Sequence, residues 1–474
     1  MSPNSPPDDE RAGLPSAIRP SWSKSSRTVP TAVVQPVIEF MRTEASGGIV
    51  MLVAALAALI WANSPWSASY EALIGTQLAI QLGRIGLLDH TVQEWVNDAL
   101  MVIFFFLVGL EIKRELVVGE LRDPRAAALP ALAALGGMVV PALIYVAFNA
   151  GTPASRGWGI PMATDIAFAI GVVSLVGTRV PVSAKLFLLA LAIVDDIGAI
   201  LVIAVFYTAD VSARWLAVAV AGLLLVVVMQ RVHVRAGLLY IVAGTVVWLA
   251  MLESGVHATI AGVALGLLTP TASFYRPEEF APAARRLIER IDAYSGDPGQ
   301  PQDVRITERT QALLGDVERL AHESVSPLYR LEHKLAPWSS FVVVPIFAFA
   351  NAGVRISGEA LGGAVGDPVV VGVFLGLLVG KVIGVTAAAW LGVRLGVARL
   401  PDGTGWRQVF GLGLLAGIGF TVALFVTALA FDDPDLAASA KLGIFAASLV
   451  AGAVGFAWLR FVPREDRPDT DLGS

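Results

Sequence analysis

Apolar runs long enough to cross a bilayer recur from Gly47 almost to the end of this chain, separated by short polar breaks, and nothing else constrains its fold as strongly. A helix needs about 20 apolar residues to span roughly 30 Å of hydrocarbon, where backbone groups must be satisfied within the segment itself. Twelve such runs are counted, at 47–63, 95–112, 127–148, 159–177, 183–207, 213–230, 236–252, 255–270, 337–354, 368–393, 407–430 and 439–461. The expected fold is an all-α membrane protein with about twelve transmembrane helices. Composition agrees: 55% of residues are hydrophobic, only 15% are charged, and the mean hydropathy is +0.69.

Short basic loops resist translocation, so counting Lys and Arg in alternate loops orients the spans. One side collects 28 of the 34 basic residues, the other holds only Arg84, Arg156, Arg214, Arg355 and Lys441, and Lys381 lies inside a span. Both termini are therefore expected in the cytoplasm. Residues 1–40 are rich in proline and serine and lack the apolar core of a signal peptide, which predicts a disordered cytoplasmic tail. Residues 41–270 then carry spans one to eight, 337–461 carry spans nine to twelve, and 462–474 form a second cytoplasmic tail. Between the two sets, 271–336 is charged, broken by Gly and Pro at 296–301, and expected to be a helical cytoplasmic insert with Leu313, Leu314, Val317 and Leu320 at helical spacing.

Composition also narrows the chemistry. A net charge of -5 without basic blocks interleaved with aromatics argues against nucleic-acid binding. The absence of cysteine excludes disulfides, thiolate metal sites, iron–sulfur ligation and thiol nucleophiles. No cofactor is implied, and carboxylates, lysine, histidine or backbone must do the work.

Four ionisable residues lie well inside apolar runs, away from their ends: Asp165, Asp195, Asp196 and Lys381. Each costs about 2.5–3.5 kcal/mol at mid-membrane, and together on the order of 10–14 kcal/mol if unpaired. One Asp–Lys bridge accounts for two of them and leaves two carboxylates in surplus, which suits a cation or proton site better than helix glue. Asp195 and Asp196 are neighbours on a helix, about 100° apart, so they face different partners. One is expected to bridge Lys381 and the other to face water, where it can bind a hard cation through oxygen. Adjacent carboxylates resist ionising together, so the pair is suited to holding protons near neutral pH and releasing them as pH rises.

Asp165 follows Pro161 and Thr164 between Gly159 and Gly171, and the eleventh run carries Gly411, Gly413, Gly417 and Gly419 around Thr421. Both read as helices that break mid-membrane, the pattern of a transporter site built from half-helix ends. Close packing of small residues explains the same glycines. An acid facing positive N-terminal ends and a lysine facing C-terminal carbonyls would neutralise such breaks, roles open to Asp165 and Lys381.

The strings Ala163-Thr-Asp-Ile-Ala-Phe-Ala, Ala192-Ile-Val-Asp-Asp-Ile-Gly-Ala, Phe347-Ala-Phe-Ala-Asn-Ala-Gly, Gly417-Ile-Gly-Phe-Thr and Val108-Gly-Leu-Glu-Ile-Lys-Arg-Glu closely resemble the NhaA family of sodium/proton antiporters. The likeness runs from about Phe40 to Phe461. It implies a twelve-helix inner-membrane antiporter with inverted repeats and two crossed, discontinuous helices, moving Na+ or Li+ against H+ under pH control. Position by position, it makes Asp196 the main sodium ligand, Asp195 the partner of Lys381, and Thr164 with Asp165 parts of the crossing. Glu111 and Glu115 end the second span beside Lys113 and Arg114, where a positive-inside anchor explains the bases but not the acids. The resemblance makes these acids, with Glu332 and His333, a pH-sensing cytoplasmic rim. It also turns the Gly-broken stretch 68–90 into an extracellular hairpin that pairs two subunits in a homodimer. The long N-terminal tail and 271–327 depart from the shorter members of that family.

His257 and Glu253, at the outer end of a span, read as a polar helix cap or as ligands. Two other functions are disfavoured. An intramembrane aspartyl protease would carry Gly-x-Gly-Asp, which is missing, and a channel would carry repeated filter segments, of which none is found.

Overall fold

The structure is a computed structural model that describes residues 45–82, 85–208, 211–294, 304–356 and 358–462. The expected tails, apart from Val462, and the Gly/Pro break at 296–301 lie outside these residues.

The chain enters through α1 (Ser46–Ala62) and α2 (Ser67–Ile74), which meet at 119°, and continues into an antiparallel hairpin of β1 (Gln77–Leu82) and β2 (Ile85–Thr91). Then come α3 (Val92–Val117), α4 (Pro124–Asn149), a 3-10 helix (Pro153–Met162), α5 (Ile166–Val176), α6 (Val182–Phe206), α7 (Ala213–Arg231), α8 (Gly237–Glu253) and α9 (Thr259–Leu268). The insert forms α10 (Pro277–Tyr294) and α11 (Val304–Ser324). The remaining helices are α12 (Pro327–Ala352), α13 (Pro368–Arg394), α14 (Trp406–Ala416), α15 (Phe420–Ala430) and α16 (Pro434–Phe461).

Among the described residues, seven helices are long and apolar enough to cross a membrane, or ten if each bent helix pair counts as one span. Two shorter apolar helices, α8 and α9, accompany them. The chain is thus a multi-pass, all-α membrane protein, with the hairpin as its β element. Its surface fits lipid. On α7 and α8, Leu224 is 60% exposed and Leu238 71%, apolar area that water would penalise and hydrocarbon accepts.

Local sequence sets the helix starts. Asp123-Pro124, Ser326-Pro327, Asp367-Pro368 and Asp433-Pro434 each open a helix, the Asp or Ser side chain accepting a backbone N–H of the first turn while proline fills a position that needs no donor. The cap at Ser326 explains why α12 begins at Pro327, ten residues before the apolar run at 337. Hydropathy marks where hydrocarbon begins, whereas capping marks where the helix begins, so Glu332 and His333 lie on α12 itself.

Three helices carry a π turn, at Val96–Leu100 in α3, Ser339–Val343 in α12 and Gly376–Gly380 in α13. In α12 the cause is visible: Pro345 has no N–H to return to the carbonyl four residues back, and the preceding turn widens so that Val344 N–H donates to Ser339 instead.

Gly136 on α4 and Gly384 on α13 face one another so closely that a Cβ on either would lie about 2 Å from the other's carbonyl oxygen (2.2 and 2.1 Å). This backbone contact leaves no room for a side chain and brings Lys381, one turn before Gly384, against the helices around it. In the insert, Leu313 and Leu320 are buried while Leu314 is exposed, as one apolar face of α11 requires. Glu323 at its end pairs with Arg235 (2.5 Å), whose guanidinium lies 3.8 Å over the Phe274 ring, so the insert is tied to the α7–α8 loop.

Candidate ion-binding site

Two bent spans meet at the centre of the molecule. The 3-10 helix ends at Met162, Ala163 and Asp165 adopt extended backbone, and α5 restarts at Ile166, the two parts bent by 41°. The α14–α15 pair breaks at Gly417–Gly419 with a 45° bend. The breaks bond to each other. Asp165 N–H donates to Ile418 O (2.6 Å) and Thr164 Oγ1 donates to Ala416 O (2.8 Å), taking up carbonyls that the broken α14 leaves without helical partners. Asp165 Oδ1 accepts Phe168 N–H (3.0 Å), and Oδ2 accepts both Thr421 N–H (3.1 Å) and Thr421 Oγ1 (2.7 Å). One carboxylate therefore caps the first turns of α5 and α15 together, where the helix dipoles favour negative charge.

The two glycines at the second break are required sterically. A Cβ on Gly417 would lie 2.5 Å from Leu377 O, and one on Gly419 would lie 2.9 Å from Ala163 O. The break and the close packing read from the same glycines are one feature.

Asp195 and Asp196 lie on α6 and diverge as adjacent helical residues must. Asp195 Oδ2 accepts Lys381 Nζ at 2.5 Å, and neither side chain has any exposed surface. Lys381 spends its hydrogen bond on this carboxylate, while the helix-end carbonyls are taken by Thr164 and Asp165. Asp196 instead lines a cavity of about 150 Å³. Its walls bring Asp196 together with Asp165, Glu111, Thr164, Thr421, Ser339 and Ser340, and no Lys, Arg or His is among the lining residues. A volume of that size admits several waters. The carboxylate and hydroxyl oxygens set among its apolar walls form a donor set for hard cations.

The four rim residues lie near one another but take different partners. Glu111 belongs to the cavity wall. Glu115 and Glu332 share Arg114, which bonds Glu115 at 3.2 Å and forms an ion pair with Glu332, joining α3 to α12; Glu115 also accepts Glu120 N–H (3.1 Å). The His333 ring stacks on Tyr329 at 5.8 Å. At the other end of the same two helices, Asn351 donates to Asn97 (2.8 Å) and accepts from Gln93 (3.1 Å). His257 bonds the Tyr207 carbonyl, and the Tyr207 hydroxyl meets Arg156 O (2.7 Å) and Gly159 N–H (3.1 Å), so the helix-cap reading of His257 describes its contact.

In the sequence Arg114 reads as an anchor for the membrane face, and Ser339 and Ser340 stand out in no way. A basic residue flanked by acids was the available signal for the first. For the serines, Pro337 and Pro345 marked an irregular helix without showing which side chains would face a cavity.

A helical membrane bundle with surplus buried carboxylates facing an internal cavity belongs to the class of cation transporters. The profile of the Na+/H+ antiporter 1 family matches residues 38–459. The chain is 46% identical over 449 residues to Na(+)/H(+) antiporter NhaA of Oleidesulfovibrio alaskensis, covering 93% of this chain and 98% of that protein. It is 45% identical over 434 residues to Na(+)/H(+) antiporter NhaA of Koribacter versatilis, covering 91% and 93%, and 45% identical over 432 residues to Na(+)/H(+) antiporter NhaA 2 of Sorangium cellulosum, covering 91% of each. This chain belongs to the NhaA family of sodium/proton antiporters.

Proposed function

We propose that the chain is a pH-dependent, electrogenic antiporter that exports Na+ or Li+ in exchange for external H+, in sodium and pH homeostasis. One arrangement carries the reading: Asp195 is held by Lys381, while Asp196, the next residue, lines a cavity whose polar groups are carboxylates and hydroxyls, with no basic side chain. Asp196 is then the sodium ligand, and the same carboxylates carry the protons that sodium displaces. Alkaline cytoplasm frees the site for sodium; acid refills it with protons. Two carboxylates discharging two protons for one monovalent ion would move net charge each cycle.

The two bent spans are read as discontinuous helices crossing at Thr164 and Asp165, related by an inverted repeat. Their backbone ends would open and close around Asp196 with modest electrostatic cost because Asp165 already offsets both N-termini. The count of twelve spans is supported by the seven long helices, α1, the two bent spans, and the shorter α8 and α9. The cytoplasmic placement of both termini rests on the 28-to-5 distribution of basic residues, and the inner-membrane placement on the family likeness. Glu111, Glu115, Glu332 and His333, about Arg114, are read as the pH-sensing rim, and the β1–β2 hairpin as the contact of a homodimer.

Reconstituted vesicles test the proposal. Wild-type protein should exchange internal protons for external 22Na+ under an imposed pH gradient, and Asp196→Asn should not, while melting within a few degrees of wild type, because the amide keeps the shape without the anionic oxygen. Normal exchange by that variant would remove the site assignment.

A further inference from the structure

We propose that Ser339 and Ser340 are sodium-binding residues, supplying neutral hydroxyl oxygens to the cation on its way to Asp196 and setting the apparent affinity for it. This rests on the reading of Asp196 as the sodium ligand.

Both serines line the cavity that holds Asp196, Asp165 and Glu111. They open the π turn of α12, whose extra residue is forced by Pro345 and whose Val344 N–H donates to Ser339 O. Adjacent residues on a regular helix point about 100° apart, and the widened turn narrows that angle where both line the cavity. Their hydroxyls are also uncommitted. Helical Ser and Thr commonly donate to the carbonyl four residues back, and Thr245, Thr269 and Thr427 do so here. Among the described residues neither Ser339 nor Ser340 hydroxyl makes a hydrogen bond, although Ser339 is 2% exposed. Thr164 and Thr421, the other hydroxyls of the cavity, have already given their protons to Ala416 O and Asp165.

α1 keeps the space open. A Cβ on Gly47 would lie 3.0 Å from Ser340 Cβ, so a larger residue there would press on the serine. A hard cation leaving water needs oxygens in place of its hydration shell, and a transport site must also release it. Neutral hydroxyls beside carboxylates meet both demands, since they ligate without adding charge.

The test is sodium-dependent transport by the full-length protein in vesicles, with Ser339→Ala, Ser340→Ala and the double variant, each with its melting temperature. The apparent KM for Na+ should rise about tenfold in the double variant, maximal rate staying within twofold and melting temperature unchanged. The ratio of Na+ to Li+ affinities should shift as well, since the smaller ion is harder to satisfy with fewer oxygens. An unchanged KM in stably folded variants overturns the proposal; if the double variant does not fold, the same comparison is made on the single ones. Asp196→Asn is run alongside. Its loss of transport together with unchanged serine variants rejects the serines alone, whereas normal transport by it rejects the site reading on which they rest.

Discussion

Lys381 and Asp195 face each other where neither has exposed surface, so each is the other's main compensation for leaving water. Removing the lysine leaves a buried carboxylate alone. Lys381→Ala should therefore lower stability by about 3–5 kcal/mol, read as a fall in melting temperature, and should cost more in stability than in transport of the surviving fraction. An unchanged melting temperature with transport lost would instead make Lys381 a proton carrier. These charges were the most legible part of the sequence, because an ionisable side chain in an apolar run is expensive and demands a reason. The hydroxyls were not. Serine and threonine cost little in a membrane helix and can bond their own backbone, so nothing in the text of residues 337–345 separates a lining serine from a self-satisfied one.

At the scale of elements, the break at Ala163–Asp165 and the break at Gly417–Gly419 stabilise each other through Asp165, which accepts donors from both restarted helices. Asp165→Asn would keep the shape but lose the charge facing two N-terminal dipoles, and should destabilise the protein by about 1–2 kcal/mol, since each dipole contributes roughly 0.3–1 kcal/mol. Thermal unfolding measures this, and an unchanged melting temperature would deny the capping role. Proline, threonine and glycine marked both breaks in the sequence, yet the bonds between them were invisible, because they join residues some 250 positions apart. The same holds for α3 and α12, tied at one end by Arg114 with Glu332 and at the other by Asn351 with Asn97. If the Arg114 cluster senses pH, Glu332→Gln with His333→Ala should move the pH midpoint of activity and leave the sodium affinity at saturating pH nearly unchanged. A midpoint that stays put makes competition at Asp195 and Asp196 sufficient.

For the molecule as a whole, hydropathy and the one-sided distribution of basic residues gave the multi-pass architecture, while α9, ten residues long, shows that a short apolar helix can be read from hydropathy only by its neighbours. If two protons return for each sodium exported, an imposed potential, negative inside, should accelerate sodium export, at about 2.3 kcal/mol per elementary charge per 100 mV. Flux indifferent to potential would mean one-for-one exchange. The central claim is narrower than flux: sodium and protons occupy the same carboxylates. The direct measurement is proton release from detergent-purified protein when Na+ is added at fixed, weakly buffered pH. Wild type should release protons on sodium addition, with less release at alkaline pH where the site is already deprotonated, and Asp196→Asn should release none. Sodium binding to wild type without proton release, or release undiminished in Asp196→Asn, would contradict the account.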